Sequence, residues 1–145
     1  MIVEEANIIS LTNDTRTKYK LNGIKRVMTQ MIKDELFNKA DCVSINLTTS
    51  DTIAYLNKKY RGTDEVTDVL TFTSEANCTD FRGDIVIDVI TADKDKGNIS
   101  LQMQLDILSI HGLLHIAGFD HITEAEKTRM SNYEQKYYNI LNSNR

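Results

Sequence analysis

The chain has no proline and no tryptophan, only six glycines and two cysteines, and no apolar run near the ~20 residues that a membrane-spanning helix needs. Each scarcity excludes something. With no proline, no Gly/Ser-rich stretch and no internal repeat, nothing marks a linker, so residues 1–145 are expected to form a single domain. A chain of that length buries roughly 70% of its unfolded surface and needs no staples. Cys42 and Cys78 form no CxxC pair, which argues against a thiolate metal site; both read as small, half-buried hydrophobes. The N-terminus, Met1-Ile2-Val3-Glu4-Glu5, carries acids where a secretory signal would carry lysines, so the expected location is the cytoplasm, with no membrane partner. A formal charge of −4 argues mildly against nucleic acid, whose phosphates want a basic footprint. Net charge does not describe patches, however, and Lys58-Lys59-Tyr60-Arg61 form a compact basic cluster.

What is present reads as an α+β fold, a small mixed β-sheet with helices packed against it. A short strand is expected at residues 8–11, followed by a helix over residues 21–37 with Leu21, Ile24, Met28, Met31, Ile32 and Leu36 at helical spacing. Val43, Ile45 and Leu47 alternate with polar residues, the period of a strand with one buried face. Asp51 offers an N-cap to a helix through Ile53, Leu56 and Tyr60 that closes near Gly62. Strands are predicted at residues 69–73 and 85–90, with Gly83-Asp84 as the turn entering the second. Helical spacing returns over residues 100–117, and Thr123-Glu124-Ala125-Glu126 reads as a capping box opening a last helix with Met130, Tyr133, Tyr137 and Leu141 inward.

All three histidines lie in one stretch, His111-Gly112-Leu113-Leu114-His115-Ile116-Ala117-Gly118-Phe119-Asp120-His121. Residues four apart share a helix face, so His111 and His115 point the same way, close enough for both to reach one ion at ~2.0–2.1 Å. A third ligand must come from a chain that turns back. Gly118 supplies a residue able to adopt positive φ at a helix C-terminus, and His121 is then delivered from the side. The expected site holds one zinc ion at the end of a core helix, through His111, His115 and His121. Three protein ligands leave a fourth position for water, the catalytic pattern of zinc. Metzincin proteases share this spacing but place a glutamate, the general base, directly after the first histidine. Here that residue is Gly112, so a peptidase of that type would lack its proton acceptor. Gly112 reads either as a point of close approach or as tight helix packing.

The stretch 111–121 resembles, at every position, the H-G-x-L-H-[LI]-x-G-[YF]-D-H hallmark of the bacterial YbeY proteins, described as rRNA maturation factors and single-strand-specific metal-dependent endoribonucleases. Leu56-Asn57-Lys58-Lys59-Tyr60-Arg61-Gly62 with Thr67-Asp68-Val69-Leu70-Thr71-Phe72 is similar to that family's L-N-x-x-[YF]-R-x-x-x-x-P-T-D-V-L-S-F-P, and Gly83-Asp84-Ile85-Val86-Ile87 to its G-D-I-[VI]-I strand. Val66 and Thr73 stand where the family has prolines, Asp88 replaces a small residue, and segment 93–98 is short and polar where the family has a longer helix. The resemblance covers about residues 40 to 135.

It implies a zinc-dependent endoribonuclease with ribosomal, single-stranded RNA as substrate, acting in small-subunit rRNA 3′ end maturation and ribosome quality control. Ribosomal proteins or a ribosome-associated GTPase are the implied protein partners. Arg61 matches the arginine implicated in activity, and a planar guanidinium suits a phosphodiester that gains charge in its transition state. Lys59 or its neighbour Lys58 is a candidate for backbone phosphates; adjacent helical residues diverge, so at most one faces the cleft. A zinc-bound water held by the three histidines, or the RNA's own 2′-hydroxyl, would be the nucleophile. Asp68 reads as a general base, a group that orients a ligand, or a turn residue. Two other readings stay open: a zinc-containing ribosome-assembly factor that binds without cutting, and a metalloprotease-like hydrolase.

Overall fold

The alternation at Val43, Ile45 and Leu47 creates a sheet with two unlike faces, and the helices divide between them. The computed structural model describes residues 9–61, 68–73 and 81–143, with Arg61 and Phe81 by backbone alone. The elements run β1 (Ile9–Asn13), α1 (Asn22–Lys33), β2 (Cys42–Thr48), α2 (Ser50–Arg61), β3 (Val69–Thr73), β4 (Phe81–Asp88), α3 (Val89–Asp95), α4 (Leu101–Ile116) and α5 (Glu124–Ser143). The strand order is β1-β2-β4-β3, with β1, β2 and β4 parallel and β3 antiparallel at the edge. This is the expected α+β architecture, a small mixed sheet with helices against it.

Register fixes which side chains share a face. Ile45 pairs with Ile85 and Ile85 with Thr71, so these three point one way; Asn46, Val86 and Leu70 point the other. The first face meets α1, α4 and α5 in the main core, where Val43, Ile45, Leu47, Ile85 and Ile87 pack with Ile24, Met28, Met31, Leu105, Leu113 and Tyr137. Among the described residues the second face carries a smaller cluster, Ile53, Leu70 and Val86 with Leu56 and Phe72, beneath α2. Helix α4 is buried on most of its circumference, which makes it the core helix that presents the histidine stretch.

Several boundaries differ from expectation, each for a local reason. The first strand runs on to Asn13, and Ile8 lies outside the described residues, as do Gly62 and Cys78. Helix α1 stops at Lys33 rather than 37 because Glu35 takes φ +66°, with Glu35 N–H donating to Ile32 O (3.0 Å) and Leu36 N–H to Met31 O (2.9 Å). That is a Schellman turn without its usual glycine. Helix α2 begins at Ser50, so Asp51 sits in its first turn instead of capping it. Gly83 and Asp84 lie inside β4, not in a turn before it. A Cβ at Gly83 would stand 2.5 Å from the Phe72 carbonyl oxygen, so the glycine lets β3 approach. Strand β4 ends at Asp88, and Val89 and Ile90 open α3, a helix absent from the sequence reading. The fully buried Asp88 caps it: Oδ1 accepts from Ile90 N–H (3.0 Å) and Thr91 N–H (3.2 Å), and Oδ2 from the hydroxyls of Ser50 (2.6 Å) and Thr91 (2.7 Å). The capping box of α5 forms as read, with Thr123 and Glu126 exchanging side-chain-to-backbone bonds of 3.0 and 3.1 Å. Cys42 is half-buried and unpaired. Among the described residues no helix is long and apolar enough to cross a membrane.

Candidate metal centre

Helix α4 brings His111 and His115 to one face, one turn apart, opposite the edge strand β3. The helix then ends in a second Schellman turn. Gly118 takes φ +108°, its N–H donates to His115 O (3.0 Å), and Phe119 N–H donates to Leu114 O (3.0 Å). Phe119 is buried, packed on Tyr133 (ring centroids 4.6 Å apart) and under the Arg129 guanidinium, 4.7 Å from the ring. With that anchor set, the next two residues return toward the helix, and Asp120 Oδ1 accepts from His121 N–H (2.8 Å).

The three imidazoles therefore converge. Their ring centroids are 4.5, 5.0 and 5.8 Å apart, and one nitrogen from each lies within 4.8 Å of the others. His115 Nδ1–H donates to the Phe119 carbonyl (3.1 Å) and His111 Nδ1–H to Glu134 Oε2 (3.4 Å). Both rings thus turn their Nε2 atoms toward each other, 3.0 Å apart. Two neutral imidazoles with Nδ1 protonated would set bare lone pairs face to face at that distance. The arrangement wants a cation between them, and this donor set fits a borderline-soft ion such as zinc. Burial, with the neighbouring His111 and His121, holds the His115 pKa below the usual histidine value, so its lone pair stays available at neutral pH.

The histidines line a cleft of about 470 Å³ with Asp68, Val69, Thr71 and Asp120. Burial raises the Asp68 carboxyl above its ordinary pKa, aided by the Asp95 and Asp88 carboxylates and opposed by its own backbone hydrogen bond and His111. On the other side of the histidines, the hydrogen bond from His111 holds Glu134 below the usual glutamate range, against burial. Tyr138 OH donates to the same Glu134 oxygen at 2.8 Å.

A family profile described as Endoribonuclease YbeY matches residues 6–142. The chain belongs to this family. Endoribonuclease YbeY of Macrococcus caseolyticus is 31% identical over 131 residues, 83% of this chain and 85% of its own. That of Bacillus licheniformis is 29% identical over 147 residues, 91% and 93% of the two chains. The solution structure of TM1509 from Thermotoga maritima matches with a TM-score of 0.65 at 27% identity, over 92% of this chain and 88% of that one.

The YbeY motifs distribute unevenly around the cleft. The Thr67-Asp68 segment ends there, with Asp68 on its wall, while Thr67 lies outside the described residues. Arg61 is the last residue of α2, and its side chain lies outside the described part of the structure. Lys59 does not line the metal cleft. It stands exposed on α2, its Nζ 5.2 Å from the Tyr60 ring centroid and 5.8 Å from that of Tyr55. Glu134 escaped the sequence reading. Its only signal was an acid one turn before Tyr138 on α5, a pair that reads as an ordinary helix-surface contact.

Proposed function

We propose that this protein is a single-domain, zinc-dependent endoribonuclease of the cytoplasm. Its substrate is single-stranded ribosomal RNA, cut during maturation of the small-subunit rRNA 3′ end and in ribosome quality control. Membership of the endoribonuclease YbeY family supports the activity, and the observation that carries the metal is the pair of Nε2 atoms 3.0 Å apart with both Nδ1 atoms committed elsewhere. His111, His115 and His121 hold one ion. When bound, zinc would supply Lewis acidity toward a phosphoryl oxygen and would make water more acidic.

The chain's own groups do the rest. Asp68, with its raised pKa, accepts the proton of the attacking hydroxyl at the cleft wall. Arg61 pairs with the phosphodiester as its charge grows, and Lys59 holds a flanking phosphate. Arg61→Ala is expected to lower cleavage of a single-stranded RNA about 10²–10³-fold, the size of one lost transition-state donor, while zinc content stays stoichiometric. Cleavage that is equal in Arg61→Ala and wild type, or absent from the zinc-loaded wild type, refutes the enzymatic reading. A retained assembly role without cleavage would then identify a binding factor.

Glu134 fixes the tautomer of His111 from outside the ligand set. Glu134→Gln is expected to weaken zinc about 10–100-fold, the usual effect of an outer partner, as read by competition with a chromophoric chelator. Unchanged affinity would show that the 3.4 Å contact orients nothing.

A further inference from the structure

Edge strand β3 separates two cavities. Val69 and Thr71 line the metal cleft on the core face, while Phe72 points through the other face into a groove of about 480 Å³ beneath α2. We propose that this second groove is a base-recognition subsite that takes a single guanine of the RNA strand; the inference rests on RNA being the substrate.

A hydrogen-bonded chain of Asp84, Ser44 and Asn46 runs along the groove floor. Asp84 Oδ1 accepts from the Ser44 hydroxyl, and Ser44 Oγ accepts from Asn46 Nδ2 (3.0 Å). Asn46 Nδ2 also donates to the Ile85 carbonyl at 3.2 Å. Both amide hydrogens of Asn46 are therefore committed, which leaves its carbonyl oxygen as the group it can offer to the groove that it lines with Asp84. The network fixes acceptors in place and spends its donors internally. A ligand edge seated on Asn46 and Asp84 must offer donors, while the hydroxyls of Thr12, Thr48 and Thr52, which also line the groove, can serve an acceptor beside them such as guanine O6. Among the RNA bases only guanine carries two adjacent ones, N1–H and the N2 amine, on one edge; uracil and adenine set a donor beside an acceptor, and cytosine sets one donor beside two acceptors.

The walls suit a base as well. Phe72 and Tyr60 meet edge to face, centroids 5.6 Å apart, and both border the groove, with Tyr60 59% exposed. Such rings stack bases in single-strand binding proteins. Among the described residues that line the groove none is a lysine or arginine, and Asp14 and Asp84 both repel phosphate. The backbone therefore belongs at the rim, where Lys59 lies over Tyr60. A strand passing around the β3 edge then puts its guanine on one face of the sheet and a phosphodiester at the histidines on the other.

The test uses the zinc-loaded full chain and 2′-O-methylated uridine strands, verified intact by gel after each titration, that carry one guanosine, inosine or adenosine. By fluorescence anisotropy, guanosine is expected to bind about tenfold tighter than adenosine, the worth of one good bidentate contact, with inosine between because it lacks the N2 amine. Asp84→Asn is expected to abolish that order at unchanged zinc affinity. Tyr60→Ala, an exposed substitution that leaves the core alone, is expected to weaken all three strands alike. Equal binding of the three strands by wild type, or a guanine preference that survives Asp84→Asn, overturns the proposal. So does an arginine-rich peptide whose binding needs Asp84 while RNA binding does not. A protein that prefers guanine but cuts no unmethylated strand refutes the nuclease reading and leaves the subsite standing. His111-dependent cutting without base preference refutes the subsite alone.

Discussion

Replacing His111 by alanine is expected to weaken zinc by more than ~100-fold, beyond the usual effect of an outer-shell partner, and to reduce RNA cleavage in step. One of three ligands is lost, and the two that remain come from opposite sides of the Gly118 turn. The Glu134 carboxylate also loses the ring it holds. The fold has little reason to respond, since His111 is half-buried on α4 and alanine is the better helix former. The measurements are chelator competition, metal content after gel filtration, and cleavage beside wild type, with far-ultraviolet circular dichroism as the folding control. Undiminished zinc affinity would sink the assignment of the ligands. Zinc lost with cleavage unchanged would separate the metal from the chemistry and leave it a structural role.

The second large effect concerns the residue between ligand and core. Gly112→Glu restores the residue order of a zincin protease, yet the expected result is an unstable protein rather than a peptidase. A Cβ at position 112 would lie 2.9 Å from both Cγ1 and Cγ2 of Ile85 and 3.0 Å from its Cδ1. That position faces the sheet, not the cleft. The substitution adds overpacking of ~1–3 kcal/mol and drives an unpaired carboxylate toward Ile85, against a helix-propensity gain of less than ~1 kcal/mol. With the several kcal/mol that an uncompensated buried carboxylate costs, the net loss comes to about 3 kcal/mol or more, from a typical total of ~5–15, and should lower Tm by roughly 10 °C or more. A scan of Gly112→Glu overlaying that of wild type, or any peptide turnover lost again on His115→Ala, would show that residue 112 reaches the cleft. The close approach that the sequence left open is thus tight packing, and the partner is a strand side chain.

Local chemistry was legible in the sequence wherever it was carried by short-range pattern. The ligand-bearing helix, the Gly118 reversal and the Thr123–Glu126 box depend on residues a few positions apart, and each formed as read. Boundaries set by distant partners were not. Helix α1 stops at a glutamate with positive φ, and nothing in the composition of residues 33–36 announces it. Helix α3 exists because Asp88 finds Ser50 and Thr91 at once, a pairing that depends on β2 and β4 lying side by side. The site divides the same way. Three histidines in eleven residues declare themselves, whereas Glu134 joins them only through the packing of α5 on α4. Lys59, grouped with Arg61 by sequence, stands over Tyr60 beside a different cavity because α2 covers the far face of the sheet.

The closeness of the histidines in sequence has a thermodynamic consequence. A ligand stabilises a fold only by the difference between its affinities for the native and denatured chains. Here all three imidazoles lie between positions 111 and 121, so a denatured chain keeps them within reach of one ion. What folding adds is the fixed orientation of the rings by Phe119 and Glu134 and the walls contributed by β3. Zinc should therefore raise the melting temperature by less than its affinity for the native protein suggests. A bound ion would shape the site more than it would secure the fold.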